Sequence, residues 1–254
     1  MNGAFYIAAT GLRAEQRALD TTANNIANIN TLGFKRSEAR FSELMAAGDA
    51  SSDRTAQAPD LLSGVSVGAE ARVFSQGELR QTGKPMDIAI QGDGFIELLG
   101  PQGAGVAWRG GGLKVNDDGF LAASNGMPLK AMISVPKGAQ SLTIERDGKV
   151  HALVDGETVP TELGQIDILT INDAAGLTPL SDGVYALGST NAGQAAVPGE
   201  EGSGVLIQGS VEASNVELSD EMITLLITQR AYAANAQVVQ AGDQLMAIAN
   251  GLKR

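Results

Sequence analysis

Apolar residues recur in three rhythms along this chain, and each rhythm predicts a different element. Near the start, Phe5, Ala8, Leu12, Glu15, Leu19, Thr22, Ile26 and Ile29 follow steps of three and four. That is the period of a helix laying one stripe on a partner. The stripe is thin, with Ala, Glu and Thr where a stable coiled coil carries Leu or Ile, so a helix of about 25 residues here needs packing to persist. From about residue 65 the rhythm changes. Residues 86–91, 141–146, 165–171, 183–187 and 205–208 are alternating or continuously apolar over strand lengths. Turn pairs at Asp118-Gly119, Asn125-Gly126, Asp147-Gly148, Asp155-Gly156 and Asp182-Gly183 separate them.

From residue 216 to 252 the helical period returns, doubled. One stripe is Leu218, Met222, Leu225, Gln229, Tyr232, Ala236, Val239 and Met246; a second is Ile223, Ile227, Ala234, Val238, Leu245, Ile248 and Leu252. A surface helix needs one stripe, so two mark either a central core helix or a helix covered by other subunits. At about 1.5 Å per residue this segment runs roughly 50 Å. Its terminal position, and the lack of other long helices to wrap it, favour the second reading.

The helix ends carry their own signals. Asn24, Asn25 and Asn28 crowd the last turns of the first helix, where Asn side chains compete for backbone hydrogen bonds. Either they end the helix, with Gly33 as a left-handed stop, or their amides bond neighbouring helices in an assembly. Ser214 and Glu217 have capping-box spacing, Asp220 and Glu221 follow in the first turns, and Lys253 and Arg254 sit at the far end. Residues 40–60 hold few large apolar side chains and read as an extended connector. The expected fold is α+β: a mainly-β central domain (75–214) and a connector (37–74), inserted between terminal helices (1–36 and 215–254) that pair as a coiled-coil-like assembly domain.

Composition refines this. Thirty-two glycines and only 4% aromatics suit short strands and many turns. A net charge of −11 argues against a nucleic-acid partner, which asks for a basic footprint. The charge is uneven, because the first forty residues hold Arg13, Arg17, Lys35, Arg36 and Arg40 against Glu15, Asp20 and Glu38. With no cysteine there is no disulfide framework or thiolate metal site. No apolar run of about eighteen residues predicts a membrane span, and the N-terminus lacks a secretory signal. That places the chain in the cytoplasm unless another export route serves it.

Candidate chemistry is sparse. Gly64-Val65-Ser66-Val67-Gly68 fits the nucleophile-elbow string, and the sole histidine, His151, lies downstream of it. An elbow needs a helix after the serine, however, and residues 67–74 read as strand. Gly83-Lys84-Pro85 lacks the hydroxyl of a phosphate loop, residues 91–94 lack a third glycine, and Asp117-Asp118 has no accompanying ligands. No catalytic, metal or cofactor-binding residue is predicted, no cofactor is expected, and the chain is not read as an enzyme.

Residues 22–36, with Asn24, Asn25 and Asn28 at fixed offsets before Gly33-Phe34-Lys35, resemble the N-terminal signature of bacterial flagellar rod and hook proteins. The segments Gln76-Gly77-Glu78-Leu79 and Asp87-Ile88-Ala89-Ile90, the latter followed by Gly92, Gly94 and Phe95, are similar to two of that family's central motifs. Val211-Glu212 with Ser214-Asn215-Val216, and Gln229-Arg230-Ala231-Tyr232, resemble its C-terminal signature. One departure is Arg109-Gly110-Gly111-Gly112-Leu113, where relatives carry Asp or Asn, Gly and an aromatic after the Arg.

The resemblance covers most of the chain and implies a structural subunit of the flagellar basal-body rod, the drive shaft crossing the periplasm. It would be exported through the flagellum's own channel and would stack head to tail into a helical tube. The helices would line that tube and the β domain would coat it. Implied partners are copies of itself, other rod and hook proteins and the export apparatus. The chain is too short for a hook protein's extra outer domain. The connector between Lys35 and Gln76 is shorter than in distal-rod relatives, yet Gln229-Arg230-Ala231-Tyr232 resembles the distal type, which is favoured over the proximal one.

The candidate assembly residues are Phe5, Leu12, Leu19, Asn24, Asn25, Ile26, Asn28, Gly33, Phe34, Asn215, Met222, Leu225, Gln229, Arg230, Tyr232, Val239 and Leu245. Gln229 and Arg230 are implied to hydrogen-bond between subunits. Neither end segment can hide its apolar surface alone, so each is expected to order on docking. The alternatives are a monomeric β-rich binding module and a serine hydrolase using Ser66 and His151.

Overall fold

The computed structural model describes residues 2–44, 64–68, 70–156, 159–171, 174–180, 183–187, 193–200 and 202–251. Half of the expected connector (45–63), Asp182 and the terminal Leu252, Lys253 and Arg254 lie outside the described residues. The fold is α+β, with one helix at each end and strands between. The chain divides into two compact units. A helical unit gathers Met1–Ala27, Ser37–Ala71 and Glu217–Arg254, and a β unit gathers Asn28–Arg36 and Arg72–Val216.

In the helical unit, α1 (Asn2–Ala27) packs on α2 (Leu218–Gly251). Glycines set how closely they approach. A Cβ on Gly242 would lie 2.7 Å from the Phe5 ring, and one on Gly11 would lie 3.0 Å from the Asn235 amide. Contacts that climb α2 while descending α1 make the pair antiparallel. The face α1 buries carries Ala8, Ala14, Ala18, Thr21, Thr22 and Asn25. Small residues there let the backbones close up, whereas Phe5, Leu12, Leu19 and Ile26 of the predicted stripe sit half-buried on its flanks. An antiparallel pair of strands, Phe41–Leu44 and Gly64–Val67, also belongs to the unit, in the register Phe41↔Val67 and Ser42↔Ser66. It lies against α1, where the Val65 N–H donates to Thr10 Oγ1 at 3.4 Å.

Helix boundaries differ from those the sequence suggests. α1 stops at Ala27, so Asn28 and Ile29 fall in a turn closed by Thr31 N–H to Asn28 O at 3.0 Å. Gly33 does adopt φ +67°, but six residues beyond the helix, and its N–H goes to Glu212 O at 2.8 Å. It shapes a loop; it does not cap α1. The capping box at Ser214 does not form either. Ser214 Oγ accepts from Val216 N–H at 3.3 Å, and α2 starts only at Leu218 with Asp220 and Glu221 in its first turn.

The β unit holds a six-stranded antiparallel sheet in the order Thr178–Pro179, Val184–Ala186, Gly105–Trp108, Phe95–Leu99, Ile168–Thr170, Gln194–Ala196. A four-stranded sheet runs Leu121–Ala123, Gly110–Val115, Asp87–Gln91, Val205–Gln208, and a three-stranded one runs Ala139–Ile144, Lys149–Val154, Thr161–Gln165. Their inner faces share one core of Ile88, Ile90, Leu98, Trp108, Leu121 and Ile166 with their neighbours. The predicted single strand 165–171 is two, because the chain changes sheet at Ile166, whose N–H bonds Gly148 O at 2.8 Å. The departure at 109–113 is likewise a strand crossing between sheets. Gly110 and Gly111 take φ +105° and +138°, and a Cβ on Gly110 would sit 2.8 Å from Ile88 O, so only glycine passes there. Among the described residues no helix is long and apolar enough to cross a membrane.

Candidate assembly surface

Several signature residues serve the β unit's own interior. Glu212, on the strand Ser210–Glu212, receives Lys35 Nζ at 2.5 Å and Gly77 N–H at 2.8 Å on one carboxylate oxygen, and Arg109 Nε at 2.9 Å on the other. These three charged side chains are at most 3% exposed. Lys35 also donates to Ser75 O at 2.9 Å, and Arg109 donates to Gly92 O at 2.6 Å and to Gly94 O. The Arg109 guanidinium lies 5.7 Å from the Phe95 ring, which meets Phe74 and Tyr185 edge to face. Arg72 stands over Phe34 at 5.4 Å.

Among the described residues no buried side-chain nitrogen or oxygen lacks a partner. A buried charge cluster persists only when so completely satisfied. Burial pulls the Lys35 ammonium below its ordinary pKa, and the Glu212 carboxylate opposes that shift. Asn215 joins the same region: Oδ1 accepts from Arg36 N–H at 2.7 Å, and Nδ2 donates to Val73 O at 2.8 Å. Gly33, Phe34 and Asn215 thereby fasten residues 28–36 and the segment before α2 into one body.

Lys35, Arg109 and Glu212 were not among the candidate assembly residues. Their signal in the sequence was a charge flanked by apolar neighbours, as in Val211-Glu212-Ala213. Two cations and one anion widely spaced along the chain do not announce that they meet.

Asn28 also falls in the β unit, and the helical unit holds the remaining candidates. Asn25 is buried and trades two hydrogen bonds with the Ser37 backbone, each 2.9 Å, so its amide is engaged within the chain. Asn28 Oδ1 accepts from Thr31 Oγ1 at 3.1 Å, and Asn24 is exposed at the end of α1. On α2, Leu225 and Val239 are half-buried, while Met222, Gln229, Arg230, Tyr232 and Leu245 are exposed. Both predicted stripes are largely open, the second more so: Ile223, Ile227, Val238, Leu245 and Ile248 are 51–63% exposed, against 37–54% for Leu218, Met222, Tyr232 and Met246. Leu218 and Leu226 on α2, with Tyr6 and Ile7 on α1, extend the apolar surface. A monomer rarely leaves so long an apolar row in water.

Ser66 sits mid-strand opposite Ser42, with no helix after it, and is no nucleophile elbow. His151, in Lys149–Val154, faces Glu145 at 3.3 Å and belongs to the β unit.

Among the described residues the buried polar groups are paired within the chain while the helices keep an apolar row uncovered, the surface a structural subunit offers to its neighbours. Residues 5–35 match the family described as flagella basal body rod protein, 89–152 the flagellar hook protein FlgE/F/G D1 domain, and 207–252 the flagellar basal body rod FlgEFG protein C-terminal. The chain is 36% identical to the flagellar basal-body rod protein FlgG of Borreliella burgdorferi, with all of both chains aligned. It is 34% identical to FlgG of Caulobacter vibrioides over 97% of each chain, and 33% identical to FlgG of Bacillus subtilis over 98% of each. The chain belongs to the flagellar basal-body rod protein family, a family of structural components and not of enzymes.

Proposed function

We propose that this chain builds a helical tube of the rod by head-to-tail stacking of copies through α1 and α2, as the distal rod type. The observation that carries the reading is the exposed row from Ile223 to Ile248. A half-exposed Ile or Leu contributes roughly 1 kcal/mol when a neighbour covers it. Five give a gross gain of the same order as the cost of immobilising a subunit. Each contact is therefore weak, and assembly depends on concentration and on several neighbours per copy. The type assignment is supported by the FlgG relatives named above, which align over nearly the full chain. Other rod and hook proteins are the neighbours above and below, and the flagellar export apparatus delivers the chain.

Sedimentation and electron microscopy of the full chain over a concentration series test this. Tubes or filaments are expected above a critical concentration, and Ile227→Ser with Leu245→Ser should raise that concentration about tenfold. In dilute protein, protease should trim the ends back to about residues 28–216, the β unit's limits. A chain that stays monomeric at every concentration with α1 and α2 resistant to protease refutes the proposal.

A further inference from the structure

Within the helical unit, α1, the strand Gly64–Val67 and Tyr232 of α2 enclose an open groove of about 630 Å³. Its walls include Tyr6, Val65, Val67 and Tyr232, and Arg13 and Arg17 line it one helical turn apart. Both guanidinium groups are exposed and have no ion-pair partner among the described residues. Asp20 is the one acid on the lining. A groove that is apolar along one wall and carries two unspent cations on the other, in a chain of net charge −11, fits an acidic amphipathic segment.

The same chain presents one. Glu217 and Asp220 are exposed at the start of α2, beside exposed Leu218 and Met222. That turn cannot fill its own groove, because it lies roughly 20 Å from Tyr232 along the same helix at about 1.5 Å per residue. We propose that the groove receives the first turn of α2 from a second copy, with Glu217 and Asp220 against Arg13 and Arg17. Leu218 and Met222 then pack on Tyr6, Val65, Val67 and Tyr232. The contact joins two different patches of one surface, so it is head-to-tail, and every copy added through it points the same way, which fixes the polarity of stacking. It rests on the self-assembly reading and names the seat within it.

The test is charge reversal in the full chain, read as critical concentration by sedimentation. Arg13→Glu with Arg17→Glu, and separately Glu217→Arg with Asp220→Arg, should each raise the critical concentration about tenfold or more. The chain carrying all four changes should return to within about threefold of the original, because the attraction is rebuilt with its signs exchanged. The Gln versions of each pair, which spare α2 a cation at its N-terminus, should lose most of the salt dependence of assembly. The pairing is overturned if either reversed pair assembles normally, if the fourfold variant does no better than the pairs, or if the Gln variants keep the salt dependence. In each of those cases an assembling wild-type chain leaves the self-assembly reading standing. A wild-type chain that never assembles removes both.

Discussion

Replacing Glu212 by Gln should unfold the β unit far more easily than any surface charge change. Among the described residues the carboxylate is the one that pairs with both Lys35 and Arg109, and all three side chains are out of water. Gln keeps one acceptor for Lys35 but turns an N–H donor toward the Arg109 donor, leaving two cations beside each other in a low-dielectric site. Removing one partner from a buried ion pair costs about 3–5 kcal/mol, a large share of a total stability of about 5–15 kcal/mol.

Lys35 limits the damage by giving up its proton. Burial and the Arg109 charge already lower its pKa, and Glu212 is the main group raising it. In the variant the folded-state value falls further below 10.5 while the unfolded value does not. The unfolded chain then holds more protons in the window below 10.5, so the variant's deficit narrows as pH rises toward that value. Urea unfolding followed by fluorescence of Trp108, the single buried tryptophan of this unit, reports the loss locally. The control is Glu97→Gln, whose Lys130 partner is at a similar 2.9 Å but 59% exposed, and which should cost at most about 1 kcal/mol. A Glu212→Gln loss no larger than the control's would refute the claim that desolvation gives the cluster its weight.

Two further outcomes follow from the packing. Gly242→Leu should weaken the pairing of α1 with α2 by about 1–3 kcal/mol, since a Cβ alone would meet the Phe5 ring at 2.7 Å; adding Phe5→Ala should recover much of that loss in the helical circular-dichroism melt of the assembled chain. If the double change is no better than the single, the ring does not sit in that notch. Burial holds the Tyr185 phenol above its ordinary pKa of 10.0, so its stabilising contribution is complete below pH 10 and is lost as pH rises through the folded value. The stability difference between wild type and Tyr185→Phe should be flat up to pH 10 and then fall, and a flat difference throughout would count against a buried phenol.

What the sequence determined by itself was periodic. The three-and-four step gave α1 and α2, the strand-length apolar runs gave most of the sheets, and the Asp-Gly and Asn-Gly pairs gave turns at glycines 119, 126, 148 and 156, each with positive φ. These are local properties, written every few residues, and the doubled stripe on α2 already marked a face that one partner helix cannot cover. The tertiary structure alone decided that both stripes stay largely open, because α1 seats on α2 where Phe5 meets Gly242 and Gly11 meets Asn235, at α2 positions that belong to neither stripe. It alone made Gly33, Phe34 and Asn215 parts of the β unit, and it alone brought Lys35, Arg109 and Glu212 together. Contacts between residues more than seventy positions apart leave no period in the chain, and a buried charge looks like a solvated one until its partners are in place.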